Sequence, residues 1–205
     1  MTDEKRPYRK QRRAELEQAT RRRITASAAE LHGTLGPSRT SISAVAAHAG
    51  VRRSTLYRHF PDEAALFAAC TEHWLAGNPL PDLARWAAIG DPDARLRAAL
   101  PELYAHYRRI EQMMDNLLRD EEIVPIVKQM FRGFRDYIDA AHATLMAGRR
   151  VRGRARERQH AAVGHALAFS TWRSLTREQH LDDAQAADLM QRLVETASTR
   201  PAKRS

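Results

Sequence analysis

The stretch SISAVAAHAGVRRSTLYRHF (Ser41–Phe60) decides the fold of the amino-terminal part of this chain, because it predicts two short helices joined by a tight turn. Apolar side chains recur at Ile42, Val45 and Ala49, which is the spacing of one face of a helix. Gly50 follows at once, and glycine ends a helix in the left-handed conformation without strain. The pattern therefore predicts a helix, a turn at Gly50 and a second helix.

The second helix has an inward edge formed by Leu56 and Phe60 and a polar outward face. The outward side chains all donate hydrogen bonds or carry positive charge: Arg53, Ser54, Thr55, Tyr57, Arg58 and His59. A helix of this size with donors and cations outward fits the major groove of DNA. The alternative is an ordinary helical hairpin, which would require the small Ala46, the Gly50 turn and the apolar Val51 to coincide by accident.

The segment TSISAVAAHAGVRRSTLYRHFPDEAALF (Thr40–Phe67) resembles the DNA-binding segment of the TetR family of bacterial transcriptional regulators. Its most specific part is G-V-x-x-x-T-L-Y-x-H-F-P, over Gly50–Pro61. The rest of the chain resembles the family only in its helical layout. The resemblance implies an amino-terminal DNA-binding domain and a carboxyl-terminal domain that senses a small molecule and forms a homodimer.

Four side chains of the second helix are candidates for reading bases. Arg53 and Arg58 can each make bidentate contacts to guanine, and Ser54 and Thr55 can touch a base or a methyl group. Ser43, in the first helix of the motif, is a further candidate. Because one motif reads few base pairs, two copies about 34 Å apart would read a palindromic operator.

Other side chains are expected to hold the DNA backbone. Ser41 begins a helix and can bind a phosphate with the help of the helix dipole. The family resemblance implies phosphate contacts for Tyr57 and His59. Two positions depart from the family: Glu63 replaces a common phosphate-binding lysine, and Arg52 replaces a serine that often caps the second helix. How the protein holds its operator is therefore the open part of this prediction.

The charge distribution supports a polyanionic partner. The net charge is +9, and residues 1–60 hold 13 Lys and Arg against 5 Asp and Glu, a net of +8. Residues 61–205 hold 21 against 20, a net of +1. Residues 1–13 carry six Lys and Arg without apolar periodicity and are predicted to form a disordered basic arm. That arm would follow phosphates or enter the minor groove, or serve only solubility.

Composition also sets the compartment. Cys70 is the only cysteine, which favours a reducing environment and a buried thiol. The sequence shows no secretory signal and no apolar run of about 18 residues that could span a bilayer. We therefore expect a cytoplasmic protein without a membrane partner.

The predicted fold is all-α with about nine helices, and no alternating strand pattern appears. We assign residues 14–77 to a three-helix DNA-binding domain with its motif at 41–60, and residues 78–205 to the sensing and dimerisation domain. The first helix is predicted over Arg13–Leu31, with Leu16 facing inward. The arginines 21–23 cannot all face one way, so some are expected to face solvent or phosphate. Residues 149–158, with six arginines, are predicted to be a connector or a frayed helix start.

The last two predicted helices, Gln159–Glu178 and a helix after Asp182, form the candidate dimer interface. Asp182 and Gln185 have the spacing of a capping box. A broad apolar stripe follows over Ala186–Ala197 and must pack against more than one neighbour. The family resemblance implies a four-helix interface between subunits, while the alternative is a purely internal helix pair. The interface candidates are Val163, Leu167, Leu189, Met190, Leu193 and Val194.

Aromatic and methionine side chains from several helices form the candidate effector pocket: Trp86, Tyr104, Tyr107, Met114, Phe131, Phe134 and Trp172. Such side chains line adaptable apolar cavities, and tyrosine hydroxyls can orient a ligand. The alternative is a dry core, and the family resemblance favours the cavity. The expected effector is largely apolar and uncharged or weakly anionic.

Other classes of protein are less well supported by the residues. The sequence contains no Gly-rich phosphate loop, nucleophile elbow or paired-cysteine metal spacing, so we predict neither enzyme activity nor a cofactor. The nine histidines do not form close pairs with carboxylates, which argues against a metal sensor. A helical adaptor would not explain the charge asymmetry, and it would show no affinity for DNA.

Overall fold

The computed structural model describes residues 5–197, with the backbone alone for residues 5–7. Every regular element in that range is helical, so the all-α prediction is confirmed. The ten α-helices are α1 (Lys5–Thr34), α2 (Ile42–His48), α3 (Arg53–His59), α4 (Glu63–Gly77), α5 (Leu83–Ala87), α6 (Pro92–Asp120), α7 (Pro125–Met146), α8 (Gly153–Leu167), α9 (Phe169–Arg173) and α10 (Asp183–Ala197). A 3₁₀ turn lies at Pro37–Arg39 and a π-helical turn at Ser174–Glu178.

The chain folds as two compact units. The first contains the residues up to Pro79 together with 112–130, and the second contains 80–111 and the residues from Phe131 onward. Helices α6 and α7 therefore each supply residues to both units. None of the helices in the described range combines the length and apolar character needed to cross a membrane.

Helix α1 starts much earlier than the sequence predicts. It begins at Lys5, so residues 5–13 are helical and not a disordered arm, while residues 1–4 lie outside the described range. Lys, Arg, Gln and Glu have good helix propensity even without an apolar face, and Pro7 fits a first turn. Leu16, predicted to face inward, is 62% exposed, because this part of α1 packs against nothing in the described structure.

Side-chain caps fix several helix starts. Asp62 accepts from the Ala65 amide at 2.7 Å, and Asp82 accepts from the Ala84 amide at 2.8 Å. Asp182 and Gln185 cap each other's amides at 2.8 and 3.0 Å, which confirms the predicted capping box. These acceptors satisfy amides that have no partner within the helix.

Helix α6 is continuous through Pro101, although a proline inside a helix removes one backbone hydrogen bond and can kink or break it. Near its start, the buried Arg95 donates to the carbonyls of Ile89 and Gly90, after α5, and to those of Thr144 and Ala147, near the end of α7. One guanidinium with five N–H groups thus satisfies carbonyls near the carboxyl-terminal ends of two helices. It holds the start of α6 against the end of α7 within the second unit.

The predicted single helix Gln159–Glu178 is wrong, because the chain leaves the helical conformation at Ala168 (φ −71°, ψ 130°). Helix α8 ends before this residue, and α9 and the π-helical turn follow it. The break accounts for ten helices where about nine were expected. Of the predicted connector 149–158, residues 153–158 already belong to α8.

Candidate nucleic-acid interface

The predicted helix–turn–helix is present in the structure. Ser41 lies at the N-cap of α2, and its Oγ accepts from the Ala44 amide at 3.1 Å. Gly50 has φ 63°, and the Val51 amide donates to the Ala46 carbonyl at 2.9 Å, which closes the turn. A side chain at Gly50 would therefore strain the backbone, although space for it is available.

A compact apolar core sets the orientation of α3. Leu56 is 1% exposed and Phe60 is fully buried, so the inward edge predicted for this helix is confirmed. These two side chains pack in one cluster with residues of α1, of α2 and its C-cap, and of α4: Ile24, Ala28, Ala29, Val45, Ala46, Ala49, Leu66 and Cys70. Burying this edge leaves the opposite face of α3 outward.

The structure brings the candidate DNA-binding side chains to that outward side. In α3, Arg53, Ser54, Tyr57 and Arg58 are exposed, while Thr55 is half-buried. In and before α2, the two serines Ser41 and Ser43 are also exposed. The Ser41 oxygen accepts the capping hydrogen bond, yet its O–H can still donate to a phosphate.

Arg53 and Tyr57 lie one turn apart on α3 and contact each other. An Arg53 Nη atom lies 3.5 Å from the Tyr57 hydroxyl, and the guanidinium carbon lies 5.9 Å from the centre of the ring. The contact is long and exposed, so it orders the two side chains only weakly. Both remain available to a ligand on the outward face.

His59 is the candidate whose surroundings differ most from the prediction. It is half-buried, and its Nε2 is buried without a hydrogen-bond partner among the described residues. Its carbonyl accepts from Nη1 of Arg21 at 2.6 Å. Sequence reasoning missed Arg21 as a contact of α3, because three consecutive arginines do not reveal which one faces the neighbouring helix.

The two departures from the family pattern have visible consequences. Arg52 occupies the N-cap of α3 and provides no side-chain cap for the first amides of that helix. Glu63 is exposed in the first turn of α4, where a negative charge is favourable for the helix itself. The same charge would repel a phosphate placed near it.

The extension of α1 gives the first unit a second basic surface. Arg9, Lys10, Arg12 and Arg13 are all exposed on this helix. A regular helix spaces these charges at fixed intervals, whereas an extended arm would not. The surface fits a polyanion and has no apolar core of its own.

In the second unit, the pocket candidates contact one another as a cluster of rings. Tyr107 lies 5.3 Å from Phe169, 6.0 Å from Trp172 and 6.5 Å from Phe134 between ring centres. Phe134 is half-buried, and the buried Phe131 packs against its edge at 6.0 Å. Sequence reasoning missed Phe169, which directly follows the break at Ala168 and packs in this cluster.

Polar partners already occupy the polar atoms of several pocket candidates. The Tyr104 hydroxyl donates to the Ala166 carbonyl at 2.9 Å, and the Tyr107 hydroxyl donates to the Leu167 carbonyl at 2.5 Å. Burial raises the pKa of both tyrosines, so they stay protonated donors. The Nε1 of Trp86 donates to Glu102 at 2.9 Å. Met114 is buried and belongs to the first unit, whereas the ring cluster belongs to the second.

The candidate interface residues divide into two groups. Val163, Leu167 and Val194 are fully buried and Met190 is 6% exposed, so the chain itself already covers these four. Leu189 is 44% and Leu193 40% exposed on α10. A groove of about 850 Å³ beside Leu193 is lined by residues of α8 and α10: Arg158, Ala161, Ala162, His165, Thr196 and Ala197.

Among the described residues, no group of three or more His, Cys, Asp or Glu side chains could hold a metal ion. The closest histidine pair is His142 and His160, whose ring centres lie 4.1 Å apart. The Nε2 of His142 contacts the His160 carbonyl at 2.9 Å, so one of its two nitrogens is already engaged.

Comparison with known proteins agrees with this geometry. Residues 24–70 match the model of the amino-terminal domain of the bacterial regulatory proteins of the tetR family. These residues run from the buried Ile24 to Cys70 and include α2 and α3. No curated protein sequence matches the chain.

Solved structures share its fold. A TetR-like transcriptional regulator from Rhodococcus sp. RHA1 superposes with a TM-score of 0.61 at 20% identity, over 86% of this chain and 94% of that one. Another transcriptional regulator from Rhodococcus sp. Rha1 superposes with a TM-score of 0.58 at 16% identity, over 88% of this chain and 99% of that one. A TetR transcription regulator from Haloarcula marismortui ATCC 43049 superposes with a TM-score of 0.52 at 15% identity, over 88% of this chain and 97% of that one.

An exposed basic helix on a helix–turn–helix core defines a DNA-binding protein. The match over residues 24–70 gives the chain an amino-terminal helix–turn–helix domain of the tetR type, and the solved regulators share its all-α fold.

Proposed function

We propose that this regulator is a ligand-responsive repressor that binds a palindromic operator as a homodimer. The observation that carries the proposal is the division of α3 into a buried edge, Leu56 and Phe60, and an outward face of donors and cations. Residues 14–77 would form the reading domain and residues 78–205 the sensing and dimerisation domain. The cytoplasm, where its DNA lies, would be its compartment.

In this proposal Arg53 and Arg58 read bases, with Ser43, Ser54 and Thr55 as further readers. Ser41, Tyr57 and His59 contact the backbone. Because Nε2 of His59 is buried and its amide lies within the last turn of α3, only Nδ1 of that residue would reach a phosphate. The exposed cations at the start of α1 would add contacts that do not depend on sequence.

Selection of bound duplexes from a random library tests the reading role. Arg53→Ala and Arg58→Ala should each weaken binding to the selected duplex by roughly 1–3 kcal/mol and relax preference at particular positions. Tyr57→Phe is the matched control, because losing a phosphate contact weakens binding to all duplexes alike. If both arginine variants select the unchanged site, α3 does not read bases through them.

The proposed dimer contact is smaller than the sequence suggested. The apolar surface that a second copy would cover consists of Leu189 and Leu193. The other four candidates are buried within the subunit: Val163, Leu167, Met190 and Val194. The groove between α8 and α10 adjoins Leu193 and would receive side chains of that copy. Two copies would hold two α3 helices at the spacing of a palindrome.

The proposed effector is largely apolar and neutral or weakly anionic. The support is the ring cluster around Tyr107, with the half-buried Phe134 at its margin. A library of neutral apolar compounds, scored by the release of a labelled selected duplex, would find such a ligand. Phe134→Ala should leave duplex affinity nearly unchanged and abolish release by a compound found in this way. If the protein were instead a helical adaptor, the unchanged chain would bind no duplex at all.

A further inference from the structure

Arg21, on α1, contacts the carboxyl-terminal end of the recognition helix α3. Its Nη1 donates to the His59 carbonyl at 2.6 Å, and its guanidinium carbon lies 4.2 Å from the centre of the Phe60 ring. His59 is the last residue of α3, and the fully buried Phe60 follows it. One side chain therefore holds both the end of the helix and the residue that anchors it.

The chemistry of this contact is specific to arginine. The last carbonyls of a helix have no donor within the helix and carry partial negative charge, which favours a cation nearby. A charge-assisted hydrogen bond is shorter and stronger than a neutral one. A guanidinium can donate a hydrogen bond in its plane while its flat face stacks on a ring. An ammonium can donate the hydrogen bond, but it has no flat face to stack on the ring at the same time.

The neighbouring arginines provide a natural comparison. Successive residues of a helix point about 100° apart, so Arg22 and Arg23 face away from the direction of Arg21. Both are exposed, and their guanidinium groups have no hydrogen-bond or ion-pair partner within residues 5–197. The three residues carry the same charge at nearly the same place in the sequence and differ in their contact with α3.

We propose that Arg21 is a positioning residue for DNA recognition and not a phosphate ligand. Helix α3 has only seven residues, and a single buried side chain, Leu56, anchors its middle. A contact that fixes its last residue therefore determines how Arg53 and Arg58 are presented to the groove. The inference rests on the proposed function, in which α3 reads the DNA.

The two roles predict different salt dependence. Removing a phosphate contact lowers the slope of log affinity against log salt by about 0.9 for each subunit bound, on all sequences. Removing a positioning contact leaves this slope unchanged and weakens the selected duplex more than an unrelated one, because base contacts need the correct orientation.

The experiment compares Arg21→Met, Arg21→Lys, Arg22→Met and Arg23→Met in the full chain, on a duplex selected by the unchanged protein and on an unrelated duplex. We expect Arg21→Met to lose about tenfold on the selected duplex, with an unaltered salt slope and little loss on the unrelated one. Arg21→Lys should recover part of the loss. A reduced slope with equal losses on both duplexes would overturn the inference, as would unchanged affinity.

Amide hydrogen exchange in the DNA-free protein gives a second, independent measurement. Amides of residues 57–60 should exchange faster in Arg21→Met than in Arg22→Met, while the rest of the first unit keeps its protection. Equal exchange in the two variants would contradict a positioning role. If the unchanged protein selects no duplex, the proposed function fails, and the exchange result still tests the contact itself.

Discussion

At the scale of single residues, His32 is the buried titratable group with the clearest consequence. Its ring packs against Phe67 at 4.9 Å between centres, and its Nδ1 lies 3.5 Å from Sγ of Cys70. Burial lowers the pKa of His32 to about 4, although the nearby Asp120 carboxylate raises it. Burial also raises the pKa of the Cys70 thiol to about 12, so that the thiol stays protonated.

We predict that His32 makes the protein sensitive to mild acid. Below its ordinary pKa of 6.5 the unfolded chain binds a proton that the folded chain takes up only near pH 4. The free energy of unfolding should therefore fall as the pH drops from 6.5 to about 4, by up to roughly 3 kcal/mol. Urea unfolding of His32→Gln across this range should show a smaller loss than that of the unchanged protein.

His73→Gln is the control for this measurement, because His73 is exposed on α4. Its unfolding should follow the pH dependence of the unchanged protein. If His32→Gln also follows that dependence, another group is responsible for the acid sensitivity.

At the scale of elements, three side chains of α6 clasp the end of α1 and the turn after it. Asn116 donates to the His32 and Gly33 carbonyls at 3.2 and 2.7 Å, and Arg119 donates to the Leu35 carbonyl at 3.0 Å. The fully buried Asp120 accepts from the Ser38 amide at 2.9 Å and from Arg119. These bonds satisfy carbonyls that the end of a helix leaves unpaired.

Gly36 makes this clasp possible, and Gly36→Ala should break it. The residue has φ 94°, and an added Cβ would lie 2.0 Å from Nη2 of Arg119 and 2.6 Å from Oδ2 of Asp120. We expect the first unit to lose at least about 1–3 kcal/mol of stability in thermal or urea unfolding. Gly77→Ala is the control and should be neutral or slightly stabilising, because nothing lies within 4 Å of its added Cβ. Equal stability of the two variants would contradict the clasp.

A second element-scale prediction concerns the break at Ala168. Tyr107→Phe would leave the buried Leu167 carbonyl without its donor, at a cost of about 1–3 kcal/mol, while the ring contacts remain. Tyr104→Phe should lower the stability in the same way, because the Ala166 carbonyl would lose its donor. Tyr137→Phe should cost less, because its partner, the Pro81 carbonyl, is only partly buried and water can replace the hydroxyl. Equal losses in urea unfolding for all three variants would argue against a special role of the break.

The elements also show what the sequence could predict. The helix–turn–helix was predictable because its signals are local: an apolar face, Gly50 and the capping residue Ser41. The clasp was not, since Asn116 contacts α1 and Asp120 contacts the turn after it across more than 80 residues, and only the fold brings them together. The break at Ala168 gives no local signal either, because it depends on hydroxyls donated from α6.

At the scale of the whole molecule, the proposed control of DNA binding by an effector requires a connection between the residues that would bind the effector and those that would bind DNA. Residues 112–130 belong to the first unit although they lie in the predicted second domain, and α6 carries the chain between the two sets of residues. In the proposed function, a change among the residues that bind an effector would reach the clasp along one continuous helix. This is a matter of chain continuity that the order of sequence motifs does not reveal.

The dimer itself is a prediction at this scale, and α10 is where it is tested. Leu189 is 44% exposed, so Leu189→Glu should fold normally as a single chain and lose association, because pairing would bury an uncompensated charge. Sedimentation should then show monomers that bind the selected duplex poorly. Leu118→Glu is the matched control, since Leu118 is 43% exposed on α6, and it should remain dimeric. A Leu189→Glu dimer of unchanged mass would place the interface on another surface, and the exposed edge of α10 would need a different partner.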